Sequence, residues 1–136
     1  MRKRVFSVAI ILTALFGCSY IYGPVKEVDA YIAVKEPTFE EMGKIIKAEP
    51  TEAGVDKAVK LWNSKKTDLK AKLDAIHAAP QGKNVDWQLL YYKSQDRTKE
   101  ELNTMDSGLS VSDAPETAKS KFKALQKEIV STLGLS

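Results

Sequence analysis

The chain has 136 residues, with 21 Lys and Arg, 18 Asp and Glu, one Cys and one His. This length is enough for one domain and excludes large architectures such as the eightfold barrel, which needs about 250 residues. A single Cys and a single His exclude an intrachain disulfide framework and a zinc site made only of Cys and His. We predict no metal site.

The first 30 residues have the pattern of an export segment. Residues 2–4 are Arg-Lys-Arg, and Val5–Gly23 then runs for 19 residues without a charge. A basic start followed by an apolar stretch is typical of a secretory signal, and its basic end stays on the cytoplasmic side. We therefore expect residues 1–30 to be a signal peptide or membrane anchor. Residues 31–136 would form a single exported domain, periplasmic or secreted.

Three fates of this segment remain open. The first is cleavage after Ala30, with the small residues Val28 and Ala30 at the −3 and −1 positions. The second is lipidation, because Leu15-Phe16-Gly17-Cys18 resembles the lipobox of bacterial lipoproteins and the resemblance implies a lipid on Cys18. The third is retention as an anchor, since 19 residues in a helix are about 28 Å long and match the hydrocarbon thickness.

The exported part is close to electrically neutral. Residues 1–30 hold four of the 21 basic and two of the 18 acidic residues, which leaves 17 basic and 16 acidic residues, a net charge of +1. A near-neutral domain lacks the basic surface that nucleic-acid binding requires. We therefore predict no nucleic-acid partner.

Helical periodicity dominates after residue 31. Residues 31–34 are at most a short extended piece ahead of Pro37. A first helix is predicted over 39–48, with Thr38 as N-cap and Glu41 completing a capping box. Pro50 closes that helix.

The second predicted helix runs from Glu52 to Ala79, between the capping residue Thr51 and the stop at Pro80. Its apolar residues fall on one stripe with heptad-like spacing, namely Val55, Val59, Trp62, Leu69, Leu73 and Ile76. A stripe of this kind cannot be buried by one helix alone. It needs partner helices, and it leaves room for a homodimer through helix 52–79.

The C-terminal half predicts a helical region over 86–105, a loop over 106–112 and a last helix over 114–133 ended by Gly134. Because residues 94–99 are all polar and Thr98 and Glu101 form a second capping box, region 86–105 is either one kinked helix or two short ones. The fold class is therefore all-α, a small antiparallel bundle of three or four helices.

Two sets of residues are candidates for a functional site. Trp87, Tyr91 and Tyr92 lie close together and form either part of the core or an exposed patch for a partner. His77 could be an axial haem ligand with Met42 or Met105 as the second ligand, although no covalent attachment motif is present. The interpretation that we favour for His77 is a residue of the C-terminal turn of a helix, where it interacts with the helix dipole.

No catalytic motif is recognisable in the sequence, because one His and scattered carboxylates do not supply a base with a positioned partner. We therefore expect a non-enzymatic exported helical protein without a cofactor. It would bind another protein or act as a structural component of the cell envelope, either released by cleavage or tethered to a membrane through its N-terminus. The alternative is a small carrier of haem or another ligand.

Overall fold

The computed structural model describes residues 22–136, and all regular structure in that range is helical. Helix α1 covers Val25–Ala48, α2 covers Glu52–Ala78, α3 covers Asp86–Val111 and α4 covers Glu116–Leu133. The predicted small helical bundle is confirmed for this range. Residues 1–21, with the basic start, most of the apolar run and Cys18, lie outside the described residues.

Each helix packs against two others, so that α1 and α4 lie diagonally across the bundle, as do α2 and α3. The contacts fix the direction of each pair. Phe39 on α1 packs against Trp62 on α2 with tilted rings, and Glu49 after α1 pairs with Lys57, so α1 and α2 are antiparallel. In contrast, α1 and α3 run parallel, since Lys35 bonds Gln95 and the more C-terminal Gly43 lies near Met105.

Among the helices that pack against each other, only the consecutive pairs α1–α2 and α3–α4 are therefore antiparallel. Helices α2 and α4 are parallel, because Lys121 pairs with Asp56 and, farther along both helices, Glu128 pairs with Lys66. The reason is the connection over 79–85, which crosses the end of the bundle diagonally and sets α3 beside α1 instead of α2.

Helix α1 starts much earlier than the sequence predicted. It begins at Val25, so residues 31–34 are helical and Thr38 is not an N-cap. Instead, the Thr38 hydroxyl donates a hydrogen bond of 2.7 Å to the Val34 carbonyl one turn back. Pro37 lies inside the helix. It removes the N–H that would bond the carbonyl of Ala33, and both Ala33 and Pro37 lie on the exposed side of the helix.

Helix α2 matches its prediction closely. The Thr51 hydroxyl accepts a hydrogen bond of 3.2 Å from the Gly54 N–H, which caps the helix as expected. The predicted stripe is buried except for the half-buried Val59. It packs against α1 and α4 of the same chain. The bundle itself therefore uses this stripe, and the homodimer through helix 52–79 stays a prediction.

Helix α3 corrects one prediction and decides between two alternatives. It is one continuous helix to Val111, so the predicted loop over 106–112 was wrong, and region 86–105 forms one helix and not two. Thr98 is not a cap, because its hydroxyl donates to the Ser94 carbonyl at 3.1 Å inside the helix. The polar run turns Ser94, Gln95 and Thr98 towards the core, and bonds of this kind make their burial tolerable.

Helix α4 ends as predicted at Gly134, which adopts the left-handed conformation with φ of +62°. Its N–H donates to the Val130 carbonyl, the usual closure of a helix C-terminus by glycine. Within residues 22–136, none of the helices is both long enough and apolar enough to cross a membrane.

Residues 22–30 belong to the folded bundle. Val28 is completely buried, and Gly23 packs so closely on the connection over 79–85 that a Cβ there would clash with the Gln81 carbonyl and the Trp87 indole. Gly82 packs just as closely on the backbone of Gly23. The predicted domain boundary after Ala30 thus falls inside α1, while cleavage at that point stays a prediction.

A chain that begins at Tyr31 should be less stable than one that begins at Tyr22. Loss of the buried Val28 side chain alone should lower the free energy of unfolding by about 2 kcal/mol, and loss of the first turns of α1 adds to this. Urea denaturation of both chains measures the difference. Val28→Ala in the longer chain is the control, and it should reproduce much of the loss. Equal stability of the two chains would contradict the packing of residues 22–30.

Candidate functional site

The structure separates the three aromatic residues of the predicted patch. Trp87 and Tyr91 are each 8% exposed and belong to the core, whereas Tyr92 is 61% exposed. Trp87 donates its indole N–H to the Gln81 carbonyl at 3.1 Å, so it fixes the connection over 79–85 onto α3. Only Tyr92, with its exposed neighbours Leu89 and Leu90, remains available to a partner.

The candidate haem ligands are not brought together. The exposed His77 lies edge-on to Tyr91 near the start of α3, with ring centroids 6.4 Å apart. Met105 is 14 residues farther along α3, about 21 Å at the rise of a helix. Met42 lies on α1 next to Gly43, which approaches Met105, and so is at the level of Met105. A single haem iron cannot reach His77 and either methionine.

A buried polar network occupies the middle of the α1–α3 interface. The side-chain oxygen of Gln95 accepts hydrogen bonds from the Tyr31 hydroxyl at 2.9 Å and the Lys35 ammonium at 3.0 Å. The side-chain nitrogen of Gln95 donates to the Tyr91 hydroxyl at 3.2 Å and the Leu133 carbonyl at 2.8 Å. One amide therefore uses its full hydrogen-bonding capacity and connects α1, α3 and the end of α4.

Lys35 is the unusual member of this network, because its side chain is completely buried. Burial lowers the pKa of its amine to about 8, and the nearby Glu36 and Glu101 carboxylates limit the decrease. The ammonium also lies 5.0 Å from the centre of the Tyr31 ring, a cation–π distance. Without access to solvent the amine cannot meet a substrate, so its role is in the packing of α1 against α3.

The sequence interpretation missed this network. Lys35 lies in a stretch that was assigned to no helix, and the polar residues 94–99 left open whether one kinked helix or two short ones form there. The signal that could have revealed it is the spacing of 87, 91, 94, 95, 98, 102 and 105, which is the core face of one uninterrupted helix.

A groove lies between the C-terminal halves of α1 and α3. Its volume is about 780 Å³, and most of its lining is apolar. Phe39 and Ile46 contribute the α1 wall, and Met105 contributes the α3 wall. Gly43 and Gly108 widen the groove, because a Cβ at Gly43 would meet only the Met105 methyl at 3.7 Å and one at Gly108 would have no neighbour within 4 Å.

Charged side chains of both signs surround this groove. Three are acidic and three are basic, namely Glu40, Glu100, Glu101, Lys44, Lys47 and Arg97. Arg97 bridges the two helices, with one nitrogen 3.2 Å from the Glu36 carboxylate and another 3.3 Å from that of Glu101. Burial raises the pKa of Glu101 from its usual value, an effect that Arg97 opposes. The groove thus has an apolar floor and a rim with balanced charge.

Comparison with protein-family models, curated protein sequences and solved structures finds no match for this chain. Within the described part of the chain, no three His, Cys, Asp or Glu side chains come close enough to hold a metal ion. The groove, the exposed residues around Tyr92 and the network around Gln95 are therefore the features from which a function can be argued.

Because the amine of Lys35 is buried, the free energy of unfolding should rise as the pH becomes mildly alkaline. The pKa of Lys35 is about 8 in the folded protein against its usual 10.5, so the unfolded chain binds more protons between these values and stability rises with pH. From pH 8 to 9.5 the free energy of unfolding should increase by about 1 to 2 kcal/mol. Above that range, the raised pKa of Tyr31 opposes the gain.

Urea denaturation at several pH values measures this slope. Lys35→Met should abolish it and also stabilise the protein at pH 7, since an apolar side chain of similar size avoids burying a charge. The exposed Lys60→Met is the matched control and should leave the slope unchanged. A flat profile in the unsubstituted protein would show that water reaches the amine.

Proposed function

We propose that this protein is an exported, membrane-tethered helical domain that binds a partner protein and performs no catalysis of its own. The observation that carries the proposal is the apolar groove between α1 and α3, which is open to solvent. The occupant that fits it best is an amphipathic helix of the partner, with an apolar stripe flanked by residues of both charges.

The dimensions of the groove support a helical occupant. Its lining extends along α1 from Phe39 to Pro50 and along α3 from Arg97 to Ser112, a length of about 20 Å or three to four helical turns. An amphipathic helix inserts apolar side chains every three or four residues into a groove of this kind. Gly43 and Gly108 allow its backbone to approach closely. The balanced charges of the rim are complementary to mixed charges on its flanks.

A small-ligand carrier is the second candidate. A volume of about 780 Å³ lies within the range of small-molecule sites, and the lining is apolar as such sites require. This candidate would take an apolar ligand in the same groove. The separation of His77 from Met42 and Met105 gives no support to haem as that ligand.

The tether is supported by the position of residues 22–30. Cleavage after Ala30 would remove the buried Val28 and the close packing of Gly23. Lipidation at Cys18 or retention of the whole apolar segment would keep both. We therefore favour these two fates over cleavage after Ala30.

The intact mass of the mature protein, taken from membrane and soluble fractions of its host, tests export and tether together. We expect a membrane-bound product that either begins at an acylated Cys18 or retains Met1. Added protease should digest it only after the outer face of the cytoplasmic membrane has been made accessible. A full-length product free in the cytosol would contradict export. A soluble product that begins at Tyr31 would contradict the tether.

Photocrosslinking in the host tests the occupant of the groove. A benzophenone amino acid replaces the exposed Thr104, which lines the groove, and in a control strain it replaces Lys123, an exposed residue on the diagonal helix α4. We expect a polypeptide adduct of one defined mass from position 104 and none from position 123. An adduct of small-molecule mass would support the carrier instead, and no adduct at 104 would contradict both candidates.

Substitutions at Gly108 link the adduct to the shape of the groove. Gly108→Leu places a side chain in the open space of the groove and should remove the adduct. Gly108→Ala is the matched control, because its single methyl group meets no atom within 4 Å. It should stabilise the free protein by about 0.5 to 1 kcal/mol, as alanine does in a helix, and retain most of the adduct. An adduct that survives Gly108→Leu would place the partner elsewhere.

A further inference from the structure

Exposed hydrophobic side chains are concentrated at one end of the bundle. Seven large ones are exposed in residues 22–136, and six of these lie where α1 and α3 begin, which we call the entry end. They are Tyr22, Val25, Val85, Leu89, Leu90 and Tyr92. The seventh, Val111, lies at the opposite end of α3. A concentration of this kind marks a surface that contacts something other than water.

The entry end is also where the apolar N-terminal run joins the fold. The run extends to Gly23, and Gly23 is already fixed against Gln81 and Trp87. There is therefore no linker between a membrane-spanning run and the bundle. If Cys18 carries the lipid instead, four residue steps separate it from Tyr22, at most about 14 Å of extended chain. Either tether keeps the entry end next to the bilayer.

The composition of the entry end suits the headgroup region of a bilayer. Tyrosines are enriched there, because the ring lies among apolar groups while the hydroxyl stays hydrated. In the two segments that carry these exposed residues, 22–30 and 79–93, three charged residues are basic and three are acidic, namely Lys26, Lys83, Lys93, Glu27, Asp29 and Asp86. This balance favours contact driven by apolar burial, without a requirement for anionic lipids.

We propose that the entry end lies in the headgroup region of the bilayer that holds the N-terminal segment, with Leu89 and Tyr92 inserted among the lipids. This inference rests on the tether of the proposed function. It orients the protein, because the α1–α3 groove lies towards the other end of both helices. The groove then lies at a distance from the membrane, where a partner helix can reach it.

Spin labels on the full-length chain test this orientation. The chain is synthesised without cells into phosphatidylcholine vesicles, in a Cys18→Ser background, with a nitroxide attached to Leu89→Cys. Val111→Cys is the matched control, since both residues are exposed and apolar on α3 and lie about 33 Å apart. We expect collisions of label 89 with a water-soluble nickel complex to be several-fold rarer than those of label 111, while its collisions with lipid-soluble oxygen are more frequent.

Two other results would overturn the proposal. Equal access of the nickel complex to both labels would show that the entry end is in water. Protection of label 89 from both nickel and oxygen would show that protein, such as a second copy of the chain, covers it. Flotation of the vesicles separates this test from that of the anchor, because failure of the Cys18→Ser chain to float with lipid contradicts retention of the apolar segment as a membrane anchor. Circular dichroism of each labelled chain confirms that the bundle is folded.

Discussion

The parallel register of α1 and α3 is the constraint on which the other features depend. At the middle of this interface, the Gln95 amide binds Tyr31 and Lys35 and leaves no alternative register with the same hydrogen bonds. A slip by one residue would leave a buried ammonium without its partner, which costs far more than the loss of one apolar contact. The network thus lowers the stability of the bundle but restricts the two helices to a single register.

That register determines where the two exposed apolar surfaces lie. Since α1 and α3 begin at the same end, the exposed residues that start both helices fall together at the entry end. The C-terminal halves of the two helices also lie side by side. The groove between them stays open because Gly43 and Gly108 have no side chains to fill it. An antiparallel pairing would instead have divided each surface between opposite ends of the bundle. One packing choice therefore places the exposed apolar residues of the entry end and the groove at different levels along the same pair of helices.

Sequence patterns were most successful where local chemistry is strong. Helix α2 was predicted within one residue at its C-terminus because a capping threonine, a long apolar stripe and a proline all agree there. The prediction failed at Thr38, where a capping box was interpreted as a helix start, and the similar pattern at Thr98 left one helix or two undecided. In both cases the hydroxyl bonds a carbonyl one turn back within a longer helix, and the sequence pattern is the same for the two roles. Pro37 misled for a similar reason, since an exposed position lets a helix continue through a proline.

The sequence by itself determined the class of the fold, because apolar spacing and helix-ending residues act over a few neighbouring positions. It also determined the apolar opening of the chain and the near neutrality of the rest. Only the tertiary structure decided that α3 lies beside α1, that residues 22–30 belong to the bundle, and that Lys35 is buried. Those outcomes depend on contacts between residues about 60 positions apart, such as Lys35 with Gln95, which no local spacing encodes.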